Sequence, residues 1–198
     1  GTFASVSAGW FHACGVRGDG TVACWGANEG APSSGAFVSV SAGYNYACGV
    51  LTDGTVACWG SDSHGQSRPP PGTFKSVSAG AIHTCGVRTD DTVACWGDDA
   101  YGQSSPPAGT FKSVSGGEYY TCGVRTDDTV ACWGEDASGQ ASPPAGTFKS
   151  LSAGHNHACG LRTDDTTACW GDDSSSQASP PSGNFASVSA GQYHACGV

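Results

Sequence analysis

Residues 74–97 read FKSVSAGAIHTCGVRTDDTVACWG, and this stretch decides the fold. It holds three short runs of strand-compatible residues, Phe74 to Ala79, Thr84 to Arg88 and Thr92 to Trp96, separated by a glycine corner and a polar turn. A Ser/Pro/Gly loop follows to residue 108, so no run is long enough for a helix. Folding the second and third runs as a hairpin centred on Asp90 sets Cys85 opposite Cys95, Val87 opposite Val93 and Arg88 opposite Thr92. By strand alternation those cysteines and valines share one face, Trp96 lies on the other, and Val77 and Ala79 share a face of the first run.

The pattern recurs along the whole chain. Gly-x-Phe returns at Gly1, Gly35, Gly72, Gly109, Gly146 and Gly183, spaced 34 once and then 37 four times. The repeat units are 1–34, 35–71, 72–108, 109–145 and 146–182, with a partial unit at 183–198, all in one repeat domain. A three-stranded unit cannot bury either of its faces alone, so neighbours must stack, and the expected fold is all-β, a propeller or solenoid of short three-stranded blades. Six first runs and six second runs are matched by only five third runs. The sixth unit therefore predicts a strand supplied by a continuation of the chain or by a neighbouring subunit, because an open ladder edge is a template for pairing.

Composition narrows the function. The 198 residues carry a net charge of −9 with only eight Lys and Arg, which argues against a nucleic-acid partner, since those binders need clustered cations to displace counterions. No apolar run is long enough to insert into a membrane. With no methionine at position 1 or elsewhere, the expectation is that a leader was removed or that the chain is part of a longer one.

Cysteines carry the strongest chemical signal. Cys14 and Cys24, Cys48 and Cys58, Cys85 and Cys95, Cys122 and Cys132, and Cys159 and Cys169 are each ten apart, leaving Cys196 over. The hairpin register opposes each pair at a Cα separation of roughly 4.5 to 5.5 Å, within disulfide reach. Zinc would want closer Cys-x2-4-Cys spacing and more than two ligands per site, and reduced buried thiols are the remaining alternative. Five disulfides imply an oxidising compartment, hence a secreted or surface-exposed protein. Cys196 is the natural point for an intermolecular link.

The repeated FKSVSAG, then His-Thr-Cys-Gly-Val, then Asp-x-Thr-Val-Ala-Cys-Trp-Gly and a Gly-Gln loop, in register over 74–103, 111–140 and 148–177, resembles the regulator of chromosome condensation repeat. That resemblance implies a β-propeller blade. The short unit and paired cysteines look more like secreted bacterial members, such as the β-lactamase inhibitory propeller, than like the eukaryotic nucleotide-exchange factor, whose activity is not carried over to this acidic chain. The inhibitory relative binds enzymes through a loop face of the same kind.

Tryptophans 25, 59, 96, 133 and 170 and the six Gly-x-Phe phenylalanines recur identically and read as blade packing. Variation concentrates at the corner after the first run: Trp10-Phe11, Tyr44-Asn45, Ala81-Ile82, Glu118-Tyr119, His155-Asn156 and Gln192-Tyr193. In a ring these corners crowd onto one surface, and aromatics on rigid turns suit protein recognition. The expected binding residues are therefore Trp10, Phe11, Tyr44, Asn45, Glu118, Tyr119, His155, Asn156, Gln192 and Tyr193. The next position alternates His12, Tyr46, His83, Tyr120, His157 and His194, a hydrogen-bonding or packing role that either ring serves. Aspartates at the hairpin turns and after the tryptophans read as backbone-bonding turn residues. No catalytic motif, metal site or cofactor is read from the sequence. Two functions follow: a secreted non-enzymatic scaffold that binds a protein or surface ligand through the corners, or a subunit of an extracellular fibre or oligomer.

Overall fold

In a computed structural model that describes residues 2–27, 30–32 and 34–198, the strands come in triplets. Blade one holds β1 (Phe3–Ala8), β2 (His12–Arg17) and β3 (Val22–Gly26), and blade two holds β4 (Phe37–Ala42), β5 (Tyr46–Leu51) and β6 (Val56–Gly60). Blade three is β7 (Phe74–Ala79), β8 (His83–Arg88) and β9 (Val93–Gly97), and blade four is β10 (Phe111–Gly116), β11 (Tyr120–Arg125) and β12 (Val130–Gly134). Blade five is β13 (Phe148–Ala153), β14 (His157–Arg162) and β15 (Thr167–Gly171); β16 (Val188–Ala190) and β17 (Ala195–Gly197) make a two-stranded partial sixth. Every sheet is antiparallel in chain order, the described residues contain no helix, and the fold is a β-propeller of five repeats and a partial sixth blade.

The hairpin register is the expected one, with Cys85 opposite Cys95 and Val87 opposite Val93. The ladder also pairs His83 with Gly97, so the second strand starts one residue earlier and the third ends one residue later than the side-chain pattern suggests. All five disulfides close within their own blades, with Cα separations of 4.0 to 4.1 Å, shorter than the spacing expected of opposed strands. Cys196 is free and exposed.

A β-bulge in each complete first strand was not legible from alternation. In β7 the register shifts between Phe74, opposite Arg88, and Ser76, opposite Val87. The extra residue, Lys75, moves Phe74 onto the face of Val77, Ala79 and Trp96. Phe74 and Trp96 then meet edge to face at 5.9 Å, and the Arg88 guanidinium lies 4.9 Å over the Phe74 ring. The opposite face carries Cys85, Val87, Val93 and Cys95.

Stacking is directional. The cysteine-valine face of one blade packs on the Phe-Trp face of the next: Cys85 and Val87 on Phe111 and Trp133, then Tyr120, Cys122 and Val124 on Phe148 and Trp170. Phe74, Phe111 and Phe148 are at most 2% exposed, whereas blade one turns its equivalents Phe3 and Trp25 to solvent at 42% and 46%.

First strands form the inner wall, around a channel of about 870 Å³ lined by small side chains such as Ser7, Ser41, Ala79, Ser115 and Ser152. Each blade is tied to the next by one repeated bond, in which a serine hydroxyl accepts a backbone N–H: Ser7 from Ala42, Ser41 from Ala79, Ser78 from Gly116, Ser115 from Ala153 and Ser152 from Ala190, all 2.9 to 3.0 Å. Where the first strand ends, the walls converge: a Cβ on Gly80 would sit 2.6 Å from the Gly117 carbonyl, so only glycine fits.

At the other end of each blade the turn aspartates bond their own backbone. Asp90 accepts from the Thr92 amide at 3.0 Å and its hydroxyl at 2.6 Å. Those two donors hold the carboxyl below the ordinary aspartate value. Asp91 adopts φ 68°, where blades one and two use Gly20 and Gly54, and takes an ion pair from Lys75.

Candidate interaction surface at the corner face

Each corner is pinned by one short bond, from the glycine amide to the His or Tyr carbonyl three residues on, at 2.8 Å in all six units. The two variable residues between are held on a tight turn. A second bond crosses to the next blade: the Trp10 amide to the Gly43 carbonyl, Ala81 to Gly117, Glu118 to His155 and His155 to Gly191. The corners therefore project from the same end of every blade, on a repeated backbone framework.

Beneath them lies a tier of buried rings. Tyr46 donates its hydroxyl to the His83 carbonyl and Tyr120 donates to the His157 carbonyl, in each case one blade on. His83 places Nε2 2.8 Å from the Thr121 hydroxyl. Here His and Tyr bridge blades, as their alternation suggests. Burial depresses the His83 pKa to about 4, against small opposing pulls from Asp98 and Asp99. The sign follows directly: between pH 6.5 and 4 the unfolded chain binds a proton that the folded chain excludes. Stability contributed by neutral His83 is full above pH 6.5 and falls by about 3 kcal/mol as pH drops to 4. His83→Tyr gives the ring the environment of Tyr46, with the Tyr120 carbonyl and Thr121 hydroxyl as partners. The variant is expected to fold and to lose less stability than wild type across that window, measured by urea melts at several pH values; an unchanged pH slope would refute it.

The structure brings Trp10, Phe11, Tyr44, Glu118, Tyr119, His155 and Tyr193 into side-chain contacts at this face. Trp10 packs on Tyr44 at 5.0 Å and on His155 at 5.3 Å, Phe11 meets Tyr44 at 5.2 Å, and Tyr193 lies 6.0 Å from His155. His155 Nε2 is 2.8 Å from Glu118 Oε2. Corners of blades one, two, four, five and six thus meet at the channel mouth, which Trp10, Phe11, Glu118, His155 and Gln192 line. Tyr119 pairs with Tyr101 at 5.4 Å, a partner in the preceding loop, after Trp96, that corner variation alone does not reveal. Asn45 and Asn156 are half-buried and offer their carbonyls to Ser61 and Asp172, while Gln192 is exposed. Phe11 and Tyr193 remain 54% and 58% exposed, and Trp10 39%.

The loops after the tryptophans start beside the corners, because the amides of Ser61, Asp98, Glu135 and Asp172 bond the carbonyls of Asn45, Ile82, Tyr119 and Asn156. Their aspartates brace the loops: Asp98 accepts from Gln103 Nε2 at 2.6 Å and Asp99 from the Ser104 amide at 2.8 Å. Partial burial raises the Glu118 carboxyl above its usual value, with His155 pulling it down and Glu135 pushing it up.

Against solved structures the chain is similar to the ectodomain of the Physcomitrella patens receptor kinase CR4, with 28% identity, a TM-score of 0.86, and coverage of 98% of this chain and 59% of that one. The ectodomain of the Arabidopsis thaliana receptor kinase ACR4 matches at 28% identity and TM-score 0.83, over 99% of this chain and 74% of that one. Prp20p from Saccharomyces cerevisiae, described with its binding to Gsp1p and histones, shares the fold at 15% identity and TM-score 0.86, over 98% and 68%. The chain thus spans about three-fifths to three-quarters of these structures. A search of curated proteins gives no match. A family model for the regulator of chromosome condensation repeat matches residues 3–30, 37–66, 74–103, 111–140 and 148–177, register for register with the five complete blades, and the chain belongs to that family.

Proposed function

We propose that this propeller is an extracellular, non-enzymatic scaffold that binds a protein partner through its corner face. The observation that carries the reading is the gathering of the variable corner residues into one part-exposed aromatic cluster on a framework of repeated backbone bonds. Large rigid rings bury area at small entropic cost, so such a cluster is suited to recognition. Five disulfides and the likeness to two receptor-kinase ectodomains support the extracellular setting.

The test is to substitute Trp10, Phe11, Tyr44 and Tyr193 together by alanine. Proteins retained from an extracellular extract by the immobilised wild-type chain should be lost, while the melting temperature shifts by only about 2 to 4 °C. Retention of the same partners, or collapse of stability, would remove the corner face from the recognition role. A second reading, assembly into an oligomer or fibre, has its own observation: Phe3 and Trp25 at one end of the stack, and Cys196 at the other, face solvent. The mass of the particle in solution before and after reduction separates the two.

A further inference from the structure

The two ends of the propeller differ in charge. Seven of the eight cations, Arg17, Lys75, Arg88, Lys112, Arg125, Lys149 and Arg162, lie at the hairpin-turn end, as their strand positions fix. There they are engaged: Lys75, Lys112 and Lys149 pair with Asp91, Asp128 and Asp165, and Arg88, Arg125 and Arg162 cover phenylalanine rings. The corner end holds Glu118 and the acids of the loops that start beside it, Asp62, Asp98, Asp99, Glu135, Asp136, Asp172 and Asp173, against one described cation, Arg68, itself bonded to Asp62. Eight acids against one cation leave −7 of the net charge of −9 at the corner end, whereas the eight turn aspartates are matched by seven cations at the other.

We infer that the corner face takes a lysine- or arginine-bearing segment of a protein partner, a deepening that rests on the corner-face reading above. Both features of the face select for it. Part-exposed Trp10, Phe11 and Tyr193 are π-systems of the kind that attract ammonium and guanidinium groups, and the carboxylates at this end favour the same charge and speed its approach. Glu118 is the central acceptor. It is part-buried at the channel mouth, its described partners there are His155 and the neighbouring Tyr119, and a guanidinium offers it a second, two-pronged bond. The spread of rings over five corners, with Glu118 in one of them and the other acids in four neighbouring loops, favours an extended segment over a compact polyamine, because one small cation reaches only one or two of these groups.

The experiment uses the intact, disulfide-bonded chain and a labelled peptide of glycine alternating with lysine or arginine, with an equally long glycine-serine-tyrosine peptide as the neutral probe, followed by fluorescence anisotropy. The basic peptide should bind and weaken several-fold between low and high salt. Glu118→Gln combined with Glu135→Gln should weaken it by about two- to fivefold for each charge removed, and Asp53→Asn combined with Asp90→Asn at the other end should leave it unchanged. No binding, equal loss from the turn-end variant, or full competition by spermine at matched charge overturns the inference. If the neutral peptide binds instead and Trp10→Ala abolishes that binding, the corner-face reading stands and the cationic partner falls; if Trp10→Ala leaves every probe unaffected, both fall.

Discussion

Reduction of the five disulfides is expected to unfold the propeller at neutral pH. Each disulfide closes a hairpin loop of about eleven residues, and the chain-entropy relation gives about 2 to 3 kcal/mol for a loop of that size. Five independent loops sum to more than 10 kcal/mol, comparable with the whole stability of an ordinary domain, which is about 5 to 15 kcal/mol. The bonds also sit where the blades touch: Cys14, Cys48, Cys85, Cys122 and Cys159 are at most 1% exposed, and the first four belong to the inter-blade clusters. Alkylation should mark one cysteine, Cys196, before reduction and all eleven after it, with loss of the far-ultraviolet strand signal and of tryptophan burial in the same step. A reduced chain that melts like the oxidised one would mean that face-to-face packing alone carries the fold. The smaller version, Cys122→Ala with Cys132→Ala, should cost about 2 to 3 kcal/mol.

Much of this architecture was legible because period and register are properties of the sequence. Gly-x-Phe spacing fixes the blade count, and the ten-residue separation of cysteines fixes which residues face each other across the hairpin. Phe74 shows the limit of such reading. Alternation puts it on the face of Ser76 and Ser78, and only the bulge at Lys75 moves it onto the face of Trp96, because a bulge is set by backbone geometry and leaves no mark in side-chain periodicity. The corner residues were legible as a set, since they vary where their surroundings repeat. Their mutual contacts were not. Trp10 of blade one reaches His155 of blade five only because the stack curves around a narrow channel, and curvature is the sum of small inter-blade rotations that no single unit encodes. The separation of charge has the same origin: acids after the tryptophans alternate along the chain with lysines at first-strand starts and arginines before the hairpin turns, and only the up-down strand order sends them to opposite ends.

Trp133→Ala is expected to cost about 3 to 5 kcal/mol, and Trp25→Ala about 1 kcal/mol or less, although the two occupy the same place in their repeats. Trp133 is 8% exposed, meets Phe111 edge to face at 5.9 Å, and donates its indole N–H to the Gln103 carbonyl of the preceding loop at 2.9 Å. Truncation leaves a cavity between blades three and four and strips that carbonyl of its indole donor, so transfer and hydrogen-bond losses add. Trp25 is 46% exposed and its ring meets Phe3, also exposed, because among the described residues no blade packs on that face. Its removal opens no enclosed cavity. Chemical denaturation of the two variants reads the difference directly, and the contrast reports on the open face as well as on packing. Equal losses at both positions would mean that the Phe3–Trp25 face is covered in solution, which is what assembly through the ends of the stack requires. A large difference that persists at high protein concentration would leave that face bare and count against end-to-end assembly.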